Sequence, residues 1–144
     1  MKCKFRKMTL DDLYEVYEIE CELFSDPWPQ KSFKRDLKNN RISRAFVLEK
    51  KNRIIGYTVC WLYVDELHIG NFAITKKFQG QGYGNYMLKK LLENFQDLEL
   101  AILEVRAKNI SAINLYHKYG FKKIYRRKKY YADKQDAIVM LKYF

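Results

Sequence analysis

Apolar residues recur at two different spacings along this chain, and these spacings predict about seven strands and about four helices. Alternating or continuous apolar runs predict strands over 2–8, 45–49, 54–63, 66–75, 98–106, 121–129 and 136–143. Helical spacing predicts helices from Thr9 to about Phe24, from Pro29 to about Asn39, over 83–95, and from about Asn109 to Tyr119. The sequence contains no repeat, low-complexity segment or linker, so we expect one domain over residues 1–144.

The order of these elements predicts a mixed α/β sheet with a central parallel pair of strands. A helix joins the strand that ends at residue 75 to the strand that begins at residue 98, and a connection of this length makes the two strands parallel. Short turns join the other neighbours, which predicts antiparallel strands on either side. Pro27 breaks the chain after the first helix, and Pro29 suits the first turn of the second.

Composition narrows the classes of protein that fit this fold. Apolar residues make up 48% of the 144 positions and charged residues 31%, as in soluble globular proteins, and no run is long enough to span a membrane. The three cysteines are widely spaced, which favours a reducing cytoplasm over a disulfide framework. With two histidines and no Cys-x-x-Cys, we expect no metal site. The net charge of +11 fits either a lysine-rich solvated surface or an anionic partner such as a phosphorylated cofactor or RNA.

The stretch 74–95 contains a motif typical of anion binding. Three of the six glycines, Gly80, Gly82 and Gly84, fall on alternate residues between a predicted strand and a predicted helix. Free backbone N–H groups at such a helix start favour a phosphate, although a flexible turn explains the glycines equally well. The spacing matches neither a dinucleotide fingerprint, because Asn85 stands where the last glycine is required, nor a P-loop. The third interpretation of this motif is a binding site for the pyrophosphate of coenzyme A.

At this motif the chain resembles the GNAT superfamily of N-acetyltransferases, whose acetyl-CoA motif Q/R-x-x-G-x-G/A is matched by residues 79–84. The series Leu103-Glu104-Val105-Arg106, Asn109, Leu115-Tyr116, Gly120-Phe121, Tyr130-Tyr131 and Asp136-Ala137 is more specific, and resembles the bacterial ribosomal-protein alanine N-acetyltransferases. The resemblance covers residues 5–141 and implies a GNAT-like fold, acetyl-CoA as co-substrate and a protein α-amino group as acceptor.

Glu104 is the only carboxylate in the apolar strand 100–105. A carboxylate in apolar surroundings has a raised pKa and suits a general base, acting directly or through a water. The alternative is an ion pair with Arg106, two residues along on the same face of the strand. By resemblance, Glu104 matches the general base of the family.

Tyr116 lies twelve residues later, on the predicted helix that packs against the sheet. A phenol with a pKa of ~10 stays protonated at neutral pH and can donate a proton to a departing thiolate, whose thiol has a pKa of ~8.5. The alternative is a core aromatic packed with Leu115 and Tyr119. By resemblance, Tyr116 is the general acid, and no covalent intermediate on a cysteine is required.

The resemblance also assigns the binding residues. The backbone of Phe72, Ala73 and Ile74 would hold the pantetheine arm in the manner of an added strand. The pyrophosphate would lie on the residues of the glycine turn, namely Gln79, Gly80, Gln81, Gly82, Tyr83, Gly84 and Asn85. Asn109 would contact the cofactor, cap a helix, or do both.

The acceptor side depends on Trp28, Tyr130 and Tyr131, which by resemblance wall a slot for an N-terminal peptide. Each has a structural alternative, since Trp28 could staple the core and aromatic residues on strands often only pack. Pro29 stands where a Ser or Thr commonly follows the Pro-Trp pair in the family, so the identity of the acceptor is the least determined feature.

We therefore expect an acetyl-CoA-dependent enzyme that acetylates a protein N-terminus, a ribosomal protein's alanine by resemblance. The same chemistry on a small amine or a lysine side chain is the first alternative. The second is a binding module that holds RNA or a ribosomal partner through its basic surface without catalysis.

Overall fold

The computed structural model describes residues 2–39 and 41–144, which form one seven-stranded mixed sheet and four α-helices, as predicted. The strands are β1 (Lys4–Lys7), β2 (Ser43–Lys50), β3 (Arg53–Tyr63), β4 (Glu66–Ile74), β5 (Leu100–Arg106), β6 (Lys122–Arg127) and β7 (Ala137–Tyr143). The helices are α1 (Leu13–Leu23), α2 (Gln30–Lys38), α3 (Tyr83–Glu93) and α4 (Ile110–Lys118). Within the sheet the strand order is β1-β2-β3-β4-β5-β7-β6.

The predicted parallel pair is confirmed, but it is short. β4 and β5 pair in parallel from Glu66–Leu100 to Ile69–Leu103, and every other neighbouring pair of strands is antiparallel. Beyond Ile69 the strand β4 continues only along β3, and beyond Leu103 the strand β5 continues only along β7. The two central strands therefore separate and leave a wedge-shaped opening in the middle of the sheet.

A bulge in β4 marks the point of separation. Cys60 pairs with Ile69 and Val59 pairs with Asn71, so Gly70 is an extra residue without a partner across the ladder. A Cβ atom on Gly70 would lie 2.2 Å from two atoms of the Trp61 ring. The indole thus lies flat against the backbone of residue 70, and only glycine fits there.

Helices cover the two faces of the sheet separately. The α1–α2 side is a buried cluster formed by α1, α2, β2 and β3, centred on Val16, Ile19, Phe33, Val47, Tyr57 and Val59. The opposite side is a cluster formed by α3, α4 and the central strands, centred on Leu67, Leu88, Leu91, Leu103, Tyr116, Phe121 and Met140. The opening between β4 and β5 is reached by the ends of α1, α3 and α4.

The ends of several elements follow the predicted local chemistry. The Thr9 backbone N–H donates to Asp12 Oδ2 at 2.8 Å, which starts a 3-10 turn over residues 10–12 before α1. Gly120, with φ of +93°, ends α4 as expected. The second helix differs by one residue, because Pro29 is its N-cap and α2 begins at Gln30.

The basic run at residues 122–129 forms the edge strand β6 and the start of the loop after it, and all eight residues are exposed. The cysteines Cys3, Cys21 and Cys60 are free thiols. Within the described ranges, no helix is both long enough and apolar enough to cross a membrane.

Gly70→Ala should lower the free energy of unfolding by about 1–3 kcal/mol, the usual cost of overpacking, because the new methyl group displaces the Trp61 ring. Gly84→Ala is the matched control, since its Cβ would meet Leu115 at an ordinary 3.5 Å in the first turn of α3. There alanine should be neutral or stabilise the protein by up to about 1 kcal/mol. Urea denaturation of both variants measures this; an equal loss in both would contradict the packing argument.

Candidate active site

Two cavities occupy the opening between β4 and β5, and they share a wall. The first, of about 220 Å³, is lined by the carboxylates of Glu20, Asp26 and Glu104, and we call it the carboxylate cavity. The second, of about 370 Å³, is lined by the glycine turn, and we call it the glycine cavity. The residues that line both cavities are Phe24, Phe72, Asn109 and Tyr116.

Most of the residues predicted to bind a cofactor line the glycine cavity. They are Phe72, Ala73, Ile74, Gln79, Gly80, Gly84 and Asn109. A 3-10 turn over residues 76–78 brings the segment after β4 to the cavity. Glu22 on α1 accepts hydrogen bonds from the Thr75 hydroxyl and the Lys76 backbone N–H, which connects this segment to α1. Strand, turn and helix therefore come together at one edge of the cavity.

The glycine turn has the backbone geometry that the motif predicts. Gly80 and Gly82 have φ of +74° and +91°, in the left-handed region that favours glycine, and Gly82 is the N-cap of α3. Tyr86 donates its N–H to Gly82 O at 3.1 Å, so the amides before Tyr86 are those that a helix leaves without an internal partner. A Cβ on Gly80 would meet nothing within 4 Å, and the space beside the turn is open. The turn is therefore shaped to bind an anion.

The remaining predicted residues, Gln81, Gly82, Tyr83 and Asn85, do not line the cavity and instead shape the turn. Gln81 Nε2 donates to Lys77 O at 3.0 Å. Tyr83 is buried with its ring edge-on to Phe78 at 5.7 Å. Asn85 Oδ1 accepts the Tyr119 hydroxyl at 3.0 Å, which joins α3 to α4. These contacts hold the turn and the start of α3 in place.

The exposed edge of β4 offers fewer free backbone groups than predicted for the pantetheine arm. The Phe72 N–H already donates to Asn71 Oδ1 at 3.0 Å, and the Ile74 carbonyl accepts Gln79 Nε2 at 2.8 Å. A carbonyl oxygen has a second lone pair, so Ile74 keeps acceptor capacity.

Glu104 lies on β5 with its side chain in the carboxylate cavity, and the prediction of apolar surroundings is wrong. Its side chain is 33% exposed and lies 3.7 Å from the Nε of Arg127. It also accepts a hydrogen bond that raises the pKa of the Tyr130 phenol. The alternative ion pair with Arg106 is wrong as well, because the Arg106 guanidinium binds Asp26 and Asp133. The face of β5 toward α4, formed by Ala101, Leu103 and Val105, is buried, whereas Glu104 projects from the opposite and more exposed face.

Tyr116 is a core aromatic that also reaches both cavities. It is only 5% exposed and its ring packs edge-on against Phe72 and Phe121, both at 5.9 Å, as a core aromatic does. It also lines both cavities at their common wall. Burial, and to a lesser extent Cys60 and Tyr131, raises the pKa of the Tyr116 phenol. The phenol therefore stays protonated at any physiological pH.

Glu20 is a cavity residue that the sequence analysis missed. This carboxylate is 1% exposed and accepts from the Trp28 backbone N–H at 2.9 Å, Asn71 Nδ2 at 2.7 Å and the Tyr57 hydroxyl. The bonds connect α1, the segment between α1 and α2, β3 and β4. Burial and the adjacent carboxylate raise the pKa of the Tyr57 phenol. The available signal was a glutamate on the apolar stripe of α1, four residues after Val16.

The predicted acceptor residues fall into two groups. Trp28 lines the carboxylate cavity and also packs against the core, since its ring centroid lies 5.4 Å from that of Phe33 and 5.9 Å from that of Trp61. Tyr131 lines the same cavity, and burial together with Glu104 raises its pKa to about 12. Tyr130 is 51% exposed and does not line the cavity, although it contacts Glu104 at its rim.

The linings of the two cavities differ in charge. Lys76 is the only charged residue that lines the glycine cavity within the described parts of the chain, whereas three carboxylates and one cation, Arg106, line the other. In a chain of net charge +11, a cavity with three carboxylates is a local exception. Lys76 favours an anionic group on one side of Tyr116. On the other side, three carboxylates outnumber Arg106 and the nearby Arg127, which favours a cationic amine.

Two cavities that meet at a buried phenol suit a reaction in which a group passes between two bound molecules. The chain belongs to the acetyltransferase (GNAT) family, whose model matches residues 13–121. A relative from Haemophilus influenzae, named [ribosomal protein bS18]-alanine N-acetyltransferase, is 37% identical over 140 residues, 92% of each chain.

Solved structures agree with this assignment. The crystal structure of the ribosomal-protein-S18-alanine N-acetyltransferase from Escherichia coli matches with a TM-score of 0.90 and 28% identity, over 98% of this chain and 93% of that one. A GNAT family acetyltransferase from Elizabethkingia anophelis with acetyl-CoA bound shares the fold, with a TM-score of 0.78 and 19% identity over 99% of both chains.

Metal binding has no support in the geometry of the site. No group of three or more His, Cys, Asp or Glu side chains in residues 2–39 and 41–144 is placed to hold a metal ion.

Glu20→Ala should destabilise the protein by about 3 kcal/mol, because one buried donor, the Tyr57 hydroxyl, and two partly buried donors lose their acceptor at once. Glu18→Ala is the control, since Glu18 lies on the same helix and is exposed. Thermal and urea unfolding compare the two variants. If both substitutions cost the same, the carboxylate network does not stabilise the junction of α1 with β4.

Proposed function

We propose that this protein transfers the acetyl group of acetyl-CoA to the N-terminal α-amino group of a protein, and that the acceptor is a ribosomal protein beginning with alanine. The observation that supports it most is the pair of oppositely lined cavities that meet at Tyr116. Membership of the acetyltransferase family supports the reaction. The names of the relatives support the acceptor. In this proposal the protein acts in the cytoplasm.

The donor is assigned to the glycine cavity. Amides at the start of α3 and the side chain of Lys76 suit the phosphates of coenzyme A. The edge of β4 at Ala73 and Ile74 suits the amides of the pantetheine arm. Asn109 cannot be assigned to the donor alone, because its Oδ1 also accepts the Ala112 N–H at 3.2 Å as the N-cap of α4. Acetyl-CoA supplies an acetyl thioester, which brings its sulfur toward the shared wall.

The acceptor is assigned to the carboxylate cavity. Its carboxylates attract the α-ammonium group, which must lose one proton before it can attack a carbonyl carbon. We assign that proton to Glu104, directly or through a water. As the new amide bond forms and the carbon–sulfur bond breaks, the Tyr116 hydroxyl gives its proton to the sulfur and takes up the second proton that the attacking nitrogen loses, so the products are a neutral amide and a thiol.

A small cavity favours a small first residue. The rings of Trp28 and Tyr131 both line this cavity, and in this proposal they limit the size of the first side chain. This favours a protein N-terminus that begins with alanine. A polyamine or a lysine side chain is the competing acceptor.

The basic surface indicates where in the cell the protein binds its acceptor. The exposed run from Lys122 to Lys129 forms the edge strand β6 and the start of the next loop, and its Arg127 lies 3.7 Å from Glu104, which lines the carboxylate cavity. Such a surface suits the RNA of a ribosome, to which its binding would weaken with added salt. We therefore extend the proposal to acceptors that are already close to RNA.

Acetylation of synthetic peptides tests the acceptor. We expect turnover of a peptide beginning with alanine, much less of the same peptide beginning with leucine, and none of spermidine or of a lysine side chain in an N-terminally blocked peptide. Mass spectrometry of ribosomal proteins from cells with and without the protein identifies the natural acceptor. Turnover of spermidine alone would replace the proposal with a small-amine acetyltransferase.

Paired substitutions test the two proton transfers. Glu104→Gln and Tyr116→Phe should each slow turnover by about 10²–10⁴-fold, the usual contribution of a general base or acid, with little change in acetyl-CoA affinity. Glu99→Gln and Tyr14→Phe are the controls, because both side chains are exposed and line neither cavity.

The pH dependence distinguishes the two roles. In the unmodified protein Glu104 takes the proton from the bound amine, so kcat should change little near the pKa of the free amine. Because the raised pKa of Tyr116 keeps the phenol protonated, kcat should not fall again below pH ~9. Glu104→Gln should make the rate follow the ionisation of the free amine, at a pKa of ~7.7–8. A pH profile that Glu104→Gln leaves unchanged would exclude this residue as the base.

A further inference from the structure

Arg106, the last residue of β5, joins two segments that are far apart in sequence. Its Nη2 donates to Asp26 Oδ1 at 2.7 Å, and its Nη1 donates to Asp133 Oδ1 and Oδ2 at 2.9 and 2.8 Å. Asp26 lies between α1 and α2, and Asp133 lies between β6 and β7. The guanidinium also lies over the ring of Tyr131, 4.0 Å from its centroid.

These contacts differ from an ordinary surface ion pair. The Arg106 side chain is 18% exposed, and its planar group binds three carboxylate oxygens while it stacks on an aromatic ring. Lysine, a single point charge without a plane, cannot make the same set of contacts. The Gln135 backbone N–H and this guanidinium keep the pKa of Asp133 below its usual range, so the partner is charged at neutral pH.

Both bridged segments border the carboxylate cavity. The segment between α1 and α2 contributes Asp26 and Trp28 to its lining, and the segment between β6 and β7 contributes Tyr131. Arg106 lines the cavity between them. The position of one side chain therefore fixes the two opposite walls of the cavity relative to each other.

We propose that Arg106 is a positioning residue that holds these two walls together, sets the width of the acceptor entrance and thereby selects a small first residue. The inference rests on the proposed function for its choice of acceptor. Without the guanidinium, Asp26 and Asp133 face each other as uncompensated like charges. The segments then separate, and Tyr131 loses the group on which it packs.

The chain offers a matched control at the other end of the sheet. Arg6 also joins two carboxylates from different elements, with Asp12 at 2.8 and 2.9 Å and Glu49 at 3.1 Å. It lines neither cavity. Arg6→Gln therefore removes the same kind of bridge without touching the acceptor entrance.

The kinetic test compares two peptides that differ only in the first residue, alanine or leucine. Arg106→Gln should raise the KM for the alanine peptide, leave the KM for acetyl-CoA unchanged, and lower the alanine-to-leucine ratio of kcat/KM by about tenfold, within the range that a shaped pocket achieves. Arg106→Lys should fall between this variant and the unmodified protein. Arg6→Gln should match the unmodified protein in all three quantities.

Hydrogen exchange tests the bridge without any assumption about the substrate. In Arg106→Gln the amides of residues 24–26, Trp28 and 130–136 should exchange faster than in the unmodified protein, whereas Arg6→Gln should leave both segments unchanged. If no peptide is acetylated by the unmodified protein, the proposed function fails. The hydrogen-exchange result still tests whether Arg106 holds the two segments together. Unchanged exchange in Arg106→Gln, or an unchanged peptide ratio in an active enzyme, would overturn the inference.

Discussion

The site depends on one constraint: β4 and β5 are paired over only four residues of each strand and then separate. Strands that part in the middle of a sheet leave backbone edges and side chains facing an open wedge rather than a neighbour. The bulge at Gly70 sets this point on β4, because it shifts the ladder with β3 and lets the Trp61 ring lie against the backbone. Both cavities, the wall that they share and the Arg106 bridge lie beyond the point where the two strands separate.

The wedge is divided by side chains rather than by backbone. Phe24 and Phe72 stand with Asn109 and Tyr116 between the two cavities, so the boundary is made from α1, β4 and α4 together. Buried hydrogen bonds hold these elements, since Glu20 ties α1 to β4 through Asn71. The charge of each cavity is then set by the few ionisable residues that reach it.

The fold could be predicted from the sequence because its signals are local. Apolar spacing, Gly120, the two prolines and the glycine turn each act within a few residues, and the order of elements implies the parallel pair. That several of residues 72–84 line one cavity could be predicted for the same reason, because they are continuous in the chain. Pro29 was misplaced by one position, since N-cap and first-turn residues share a similar φ.

The acceptor side could not be predicted in the same way because its contacts are long-range. Glu20 accepts a hydrogen bond from Asn71, 51 positions away, and Arg106 donates one to Asp26, 80 positions away. Rules based on the spacing of residues in the sequence do not predict such long-range contacts. The surroundings of Glu104 were misjudged because an apolar strand has two faces, and only the face toward α4 is covered.

The wall shared by the two cavities has a consequence for the order of events. Because Tyr116 lines both cavities, the donor and the acceptor of the proposed reaction occupy different cavities and do not compete for one site. In that proposal the group passes from one molecule to the other in a single complex of three components. Cys60, the nearest thiol in the core, is fully buried, and its raised pKa makes it a poor carrier for the group in transit.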